Sequence, residues 1–266
     1  MKNLLVILVI VLSMSACSEY QKALKSEEVG VKYKMGEKMY DAGKYAKANR
    51  LFEQIIPSYR GKPQAEKLMY LNADASYQMG DYYTSGYHFE RFVAAYPRSE
   101  KLSEASFKSA RSYYELSPVY SKDQTETITA LEKLQQFINE FPESENVAKA
   151  NEFVKELDFK LEKKAFETAK QYNHISDYKA SIAAFDNFIS DFPGTSLREE
   201  ALYIRYDSAY KLALNSVEYK KKERLETAKG YYNAFKKRYS DSQFIEEATD
   251  KLGDIEKQLE QYSTKS

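Results

Sequence analysis

The side chains capable of chemistry are few in this sequence, and none of them stands in a catalytic arrangement. The two histidines, His88 and His174, are not spaced as metal ligands, and His88-Phe89-Glu90 lacks the second histidine that a zinc-hydrolase helix needs four residues on. The 9 glycines are scattered singly, so no loop can cradle a phosphate, and no serine occupies a Gly-x-Ser-x-Gly turn. The carboxylate pairs Glu27-Glu28, Glu199-Glu200 and Glu246-Glu247 fall where helices should begin, and there the helix dipole favours negative charge. The basic run Lys220-Lys221-Lys222-Glu223-Arg224 reads either as a solvated helix surface or as a contact for anionic lipid or an acidic partner. The expectation is a protein with no enzymatic activity, no metal and no cofactor, whose one distinctive reactive group is the thiol of Cys17.

The surroundings of that thiol suggest a modification. Lys2 precedes an uncharged run from Leu4 to Leu12, which leads through Ser13, Met14, Ser15 and Ala16 to Cys17. As a helix this run would rise only about 14 Å against a hydrocarbon core of roughly 30 Å, so it reads as an export signal over residues 1–16 and not as a membrane span. Met14-Ser15-Ala16-Cys17 resembles the lipobox of bacterial lipoproteins, which implies cleavage before Cys17, an S-diacylglycerol on its sulfur and an acyl chain on its nitrogen. A lone cysteine has no internal disulfide partner, and lipidation would remove an exposed thiol from an oxidising compartment. Residues 17–30 are then expected to form a tether. The chain carries 40 basic and 40 acidic residues, a balance that argues against nucleic acid as the main partner. Its 24 Tyr and 14 Phe, with no Trp, suit helix interfaces and protein recognition.

The elements that would position any binding surface are repeated. Apolar residues recur at i, i+3, i+4 and i+7, one face of a helix, as Phe52, Ile55, Ile56, Tyr59; Phe89, Phe92, Val93, Tyr96; Leu134, Phe137, Ile138, Phe141; and Phe185, Phe188, Ile189, Phe192. A fifth copy, Tyr232, Phe235, Lys236, Tyr239, has one polar exception. Four residues before each copy stands a small side chain, Ala48, Ser85, Ala130, Ser181 or Ala228, as a close helix crossing requires. Pro97, Pro142 and Pro193 end the second helices; Ser99, Ser144, Thr195 and Ser242 are suited to cap the next helix, and Ala105, Ala150, Ala201 and Ala248 follow in register. Gly43 and Gly80, replaced by Ser176 in the fourth copy, mark the turns inside the hairpins.

Such a unit resembles the tetratricopeptide repeat of about 34 residues, lengthened here by a loop over Leu116–Gln124 and a long helix from about Glu145 to Tyr172. The expected fold is all-α, a right-handed α-solenoid of about five such hairpins closed by a capping helix from Ser242 to about Tyr262, since hairpins with one apolar face must stack. Repeats 1–3 would occupy residues 31–142, and repeats 4–5 with the capping helix residues 143–262. The first helices carry aromatic pairs seven residues apart: Tyr33 and Tyr40, Tyr70 and Tyr77, Phe107 and Tyr114, Tyr203 and Tyr210. These read either as a ladder gripping an extended polypeptide or as packing between repeats.

With Cys17 and the five repeats in place, local strings complete a family resemblance: Tyr59-Arg60-Gly61-Lys62, Gly80-Asp81-Tyr82-Tyr83, Tyr87-His88-Phe89 and Ser117-Pro118-Val119-Tyr120-Ser121-Lys122-Asp123-Gln124-Thr125. The sequence resembles the BamD family, tetratricopeptide-repeat lipoproteins of the outer-membrane β-barrel assembly machinery. The resemblance implies a lipoprotein on the outer membrane facing the periplasm, working with a barrel insertase and other lipoproteins of that machinery. Its N-terminal repeats would receive unfolded β-barrel substrates, and its C-terminal repeats, after about Phe192, would dock the insertase. The alternative is a periplasmic repeat lipoprotein that tethers envelope or peptidoglycan machinery.

Overall fold

The computed structural model describes residues 19–263, so the export signal and Cys17 lie outside the described residues. A helical stretch over 19–25 is followed by α1 (Val29–Asp41), α2 (Tyr45–Tyr59), α3 (Ala65–Gln78), α4 (Tyr82–Ala95), α5 (Leu102–Leu116) and α6 (Thr125–Glu140). Then come α7 (Val147–His174), α8 (Tyr178–Asp191), α9 (Arg198–Leu214), α10 (Glu218–Arg238) and α11 (Ile245–Ser263). Among the described residues every regular element is helical.

Within a hairpin the helices run antiparallel. Tyr33 meets Tyr59 at 5.3 Å between ring centroids, while Tyr40 meets Tyr45 at 5.4 Å. The side chains at the crossing are as small as the spacing requires, with Ala48, Ser85, Ala130, Ser181 and Ala228 all completely buried. The first helices match them, since Gly36 lies so close to Phe52 that a methyl group there would overlap the ring. Ala73, Ala110 and Ala169 hold the same register position and are buried.

The hairpin turns are set by local chemistry. Gly43 and Gly80 take φ of 68° and 75°, and Ser176 adopts the same left-handed conformation at 64° despite its Cβ. Each turn closes with an amide reaching back five residues, from Lys44 to Met39 O, Asp81 to Ser76 O and Asp177 to Tyr172 O, at 2.8–3.0 Å. Asp81 and Asp177 then accept from the amides of Thr84 and Ala180, capping α4 and α8. Between hairpins, Ser99, Ser144, Thr195 and Ser242, three residues before the helix, cap a lead-in turn and not the helix itself, each accepting from the amide two residues on. Tyr239 ends α10 with the backbone angles seen at Tyr96, Phe141 and Phe192, although no proline follows it.

The chain forms two compact units, residues 19–118 with 123–157, and residues 119–122 with 158–263. The division falls inside α7, not at the expected 142/143 boundary. Because α7 is long, its first turns bury Ala150, Phe153 and Leu157 against α5 and α6, whereas Phe166 and Ala169 further along belong to the core with α8 and α9. The segment 119–122 joins the second unit because Lys164 Nζ donates to Lys122 O at 2.7 Å and Lys163 lies 4.7 Å from the Tyr120 ring centroid. The stretch expected to be a tether is also corrected. Tyr20, only 4% exposed, and Ala23 are buried, and Tyr20 and Leu24 pack with Met39, Leu51 and Phe52, so residues 19–25 form part of the first core.

Candidate interaction surfaces

The aromatic ladder is built into the stacking of first helices. Tyr40 donates to Asp74, Tyr70 to Glu104, Tyr114 to Glu156 and Tyr210 to Asp254, so each hydroxyl meets a carboxylate on the next first helix or, for Tyr210, on the terminal helix. Tyr77 lies 5.7 Å from the Arg111 guanidinium instead. Phe107 and Tyr114 stack on Phe153, and Tyr203 stacks on Phe244 at 4.5 Å. Phe107 and Tyr203 are buried, while Tyr33, Tyr40, Tyr70, Tyr77, Tyr114 and Tyr210 are half-buried, leaving ring edges on the surface of the first helices. Burial, with the carboxylate bonds behind it, pushes the Tyr114 and Tyr210 hydroxyls up to about 12.

Beside the ladder, two charge clusters, each centred on a buried aspartate, repeat the same design. In the first unit Lys108 Nζ donates to Asp74 at 2.6 Å and to the Tyr70 hydroxyl at 3.0 Å, and it pairs with Glu104 at 2.8 Å; Asp74 is 1% exposed. In the second, Lys251 Nζ donates to Asp207 at 2.6 Å, to the Tyr203 hydroxyl at 3.0 Å and to Glu247 at 2.7 Å. Asp207 also receives Lys211 and Asn173, at 2.6 and 3.1 Å. Burial alone would raise Glu104, but hydrogen bonds from Lys108, Tyr70 and Lys101 outweigh it and hold its pKa at about 2. The same competition, won by Lys211 and Lys251, lowers Asp207. Sequence reading named Tyr70, Tyr203 and Glu247 for other reasons but missed Asp74, Glu104, Lys108, Asp207 and Lys251. Their signal was the repeat register, since Asp74 and Asp207 stand four residues after Tyr70 and Tyr203, and Lys108 and Lys251 four residues after Glu104 and Glu247.

Two of the open surfaces in the first unit bear on binding. One is a groove of about 430 Å³ between α2, α3 and α4, floored by Ile56, Leu68 and Met69 and flanked by Arg60, Arg91 and Tyr96. The other is the end of the hairpins that carries the turns at Gly43 and Gly80, where Met79, Tyr83 and Tyr87 are exposed, Tyr83 to 78%. In the second unit Leu214, Val217 and Tyr219 are exposed around the α9–α10 turn, next to the basic run, of which Lys220 and Lys222 are exposed. His88 is half-buried, with its Nδ1 3.0 Å from Asn72 Nδ2. Among the described residues no group of His, Cys, Asp and Glu is placed to hold a metal ion, and no helix is long and apolar enough to cross a membrane.

No match was found among curated proteins. Among solved structures, one described as a Podosopora anserina kinesin light chain with nearly identical TPR-like repeats aligns with 83% of this chain and 99% of its own, at 14% identity and a TM-score of 0.33. The model of the YfiO family, described as an outer membrane lipoprotein, matches residues 26–225 and 160–265, which takes in the stacked hairpins, the charge clusters and the terminal helix. The chain belongs to the YfiO family of outer membrane lipoproteins, the BamD family that its sequence resembles.

Proposed function

We propose that the protein is a non-enzymatic scaffold of the outer-membrane β-barrel assembly machinery, anchored by lipid on Cys17 and facing the periplasm. The family match across residues 26–265 carries this reading. Stacked hairpins suit it physically, because they present a long surface of fixed side chains without needing a ligand or nucleotide to assemble it. Barrel precursors are amphipathic strands with aromatic girdles, and the half-exposed rings of Tyr33, Tyr40, Tyr70 and Tyr77 offer apolar edges to such segments. Substrate contact is therefore assigned to the first helices of the N-terminal repeats. Docking of a barrel insertase is assigned to the repeats after Phe192, with Phe107, Tyr114, Tyr203 and Tyr210 stiffening the stack between repeats.

Depletion of the protein tests this directly. The expected result is a simultaneous fall in many outer-membrane β-barrel proteins, with a large barrel protein co-isolating from the detergent-solubilised envelope. Normal barrel levels, with cell-wall synthases captured instead, would overturn the assembly role in favour of an envelope tether.

A further inference from the structure

The two ends of the hairpins in the first unit differ in chemistry, and the chain enters at one of them. First helices run parallel to one another, as Tyr40 with Asp74 and Tyr70 with Glu104 show, so the turns at Gly43 and Gly80 share one rim and the linkers over 60–64 and 96–101 share the other. The linker rim exposes Arg60, Lys62, Arg98 and Lys101 and no large apolar side chain. The turn rim exposes Met79, Tyr83 and Tyr87, the last within 5.7 Å of the Arg91 guanidinium.

The first described residue lies at the turn rim. Glu19 pairs with Lys38 in the last turn of α1 at 2.9 Å, and the Tyr20 ring lies 5.1 Å from Lys47 Nζ in the first turn of α2. Because Tyr20 and Ala23 are buried, this stretch is fixed to the hairpin and is not a leash. Only Ser18 separates it from Cys17. Two residues of chain span at most roughly 7 Å, which bounds the reach from Glu19 to an acyl-bearing cysteine at position 17.

We propose that the Gly43–Gly80 turn rim of the first unit rests on the bilayer surface, with Tyr83, Tyr87 and Met79 in the headgroup layer and Lys22, Lys44 and Lys47 beside the lipid phosphates. This rests on the lipid anchor proposed at Cys17. Tyrosine suits such a layer because its ring is apolar and its hydroxyl tolerates water, and lysine stems can reach outward to phosphate. Asp41 and Asp81 occupy the same rim, so the contact is chiefly interfacial and only weakly electrostatic. Since the acyl chains dominate membrane affinity, the rim sets orientation and not attachment.

Orientation is therefore what must be measured. The mature acylated protein carrying Tyr83→Cys or Arg98→Cys, each labelled with a polarity-sensitive fluorophore, is reconstituted in phosphatidylethanolamine–phosphatidylglycerol vesicles containing doxyl-labelled lipid. Both positions are exposed, so neither change should disturb folding. The expected result is blue-shifted emission and several-fold stronger doxyl quenching at position 83 than at 98. Equal, water-like emission at both positions overturns the proposal. So does a label at 83 that becomes covered only when solubilised envelope proteins are added, which would make the rim a protein contact. The mass of the N-terminal peptide separates the two readings: absence of acyl mass refutes the anchor, whereas an acylated sample with position 83 in water refutes the rim alone.

Discussion

Lys108 shows what a single side chain does in this stack. Its ammonium is shared by Asp74, Glu104 and the Tyr70 hydroxyl, and Asp74 is almost wholly out of water. Removing one partner of a buried pair leaves an uncompensated charge, which typically costs about 3–5 kcal/mol. Lys108→Ala should therefore lower the denaturation midpoint sharply, and adding Asp74→Asn should recover part of the loss, read as a non-additive double-mutant cycle. Acid titration probes the same contacts. Glu104, with a folded pKa of about 2, and Asp207, also lowered, bind protons more weakly folded than unfolded. Their stabilisation is fully present above the ordinary carboxylate range and is lost as pH falls through it toward about 2. Thermal unfolding between pH 6 and 2 should show that decline, and Glu104→Gln should flatten part of it; solvent screening keeps the Glu104 share modest, since that side chain is 38% exposed.

At the level of the helix hairpin, periodicity and small residues revealed most of what the fold contains. The i, i+3, i+4, i+7 faces, the small crossing residues and the left-handed turns all express local steric rules, so they could be read without knowing the neighbours. What escaped was relational: that Asp74 would meet Lys108, that α7 would serve two cores, and that residues 19–25 would pack and not trail. Gly36 belongs with these, because only the position of Phe52 makes it necessary. Gly36→Ala should destabilise by about 1–3 kcal/mol through overpacking, although alanine favours the helix by about 1 kcal/mol. Ser176 offers the opposite case. Holding φ at 64° strains a residue with a Cβ, so Ser176→Gly should raise the melting temperature by an amount corresponding to about 0.5–1 kcal/mol, whereas Asp177→Ala, which removes the α8 cap, should cost about 1 kcal/mol. Differential scanning calorimetry of the three variants checks these signs.

For the molecule as a whole, each unit is a short array in which an open apolar face must meet another helix. In the second unit α11 supplies that closure, burying Ala248 and Ile255, receiving the Tyr206 hydroxyl on Ala248 O at 2.9 Å and delivering Lys251 to Asp207. A chain ending before Ile245 should lose both the apolar cover and Lys251, one of the two lysines paired with Asp207, leaving only Lys211. The expected outcome, by circular dichroism and protease sensitivity, is loss of cooperative unfolding in the second unit and not a frayed terminus.

The carboxylates that meet the ladder hydroxyls have a consequence for how such an array can change over generations. Because Tyr40 needs Asp74, Tyr70 needs Glu104 and Tyr114 needs Glu156, each of the first three hairpins is written for its particular successor, as Tyr210 is for the terminal helix through Asp254. Copying, deleting or reshuffling a hairpin would leave a phenol facing the wrong group and a carboxylate without its lysine. The order of hairpins is thus as much inherited information as their individual sequences, and lengthening the array by duplication should be harder here than in arrays joined by apolar contact alone.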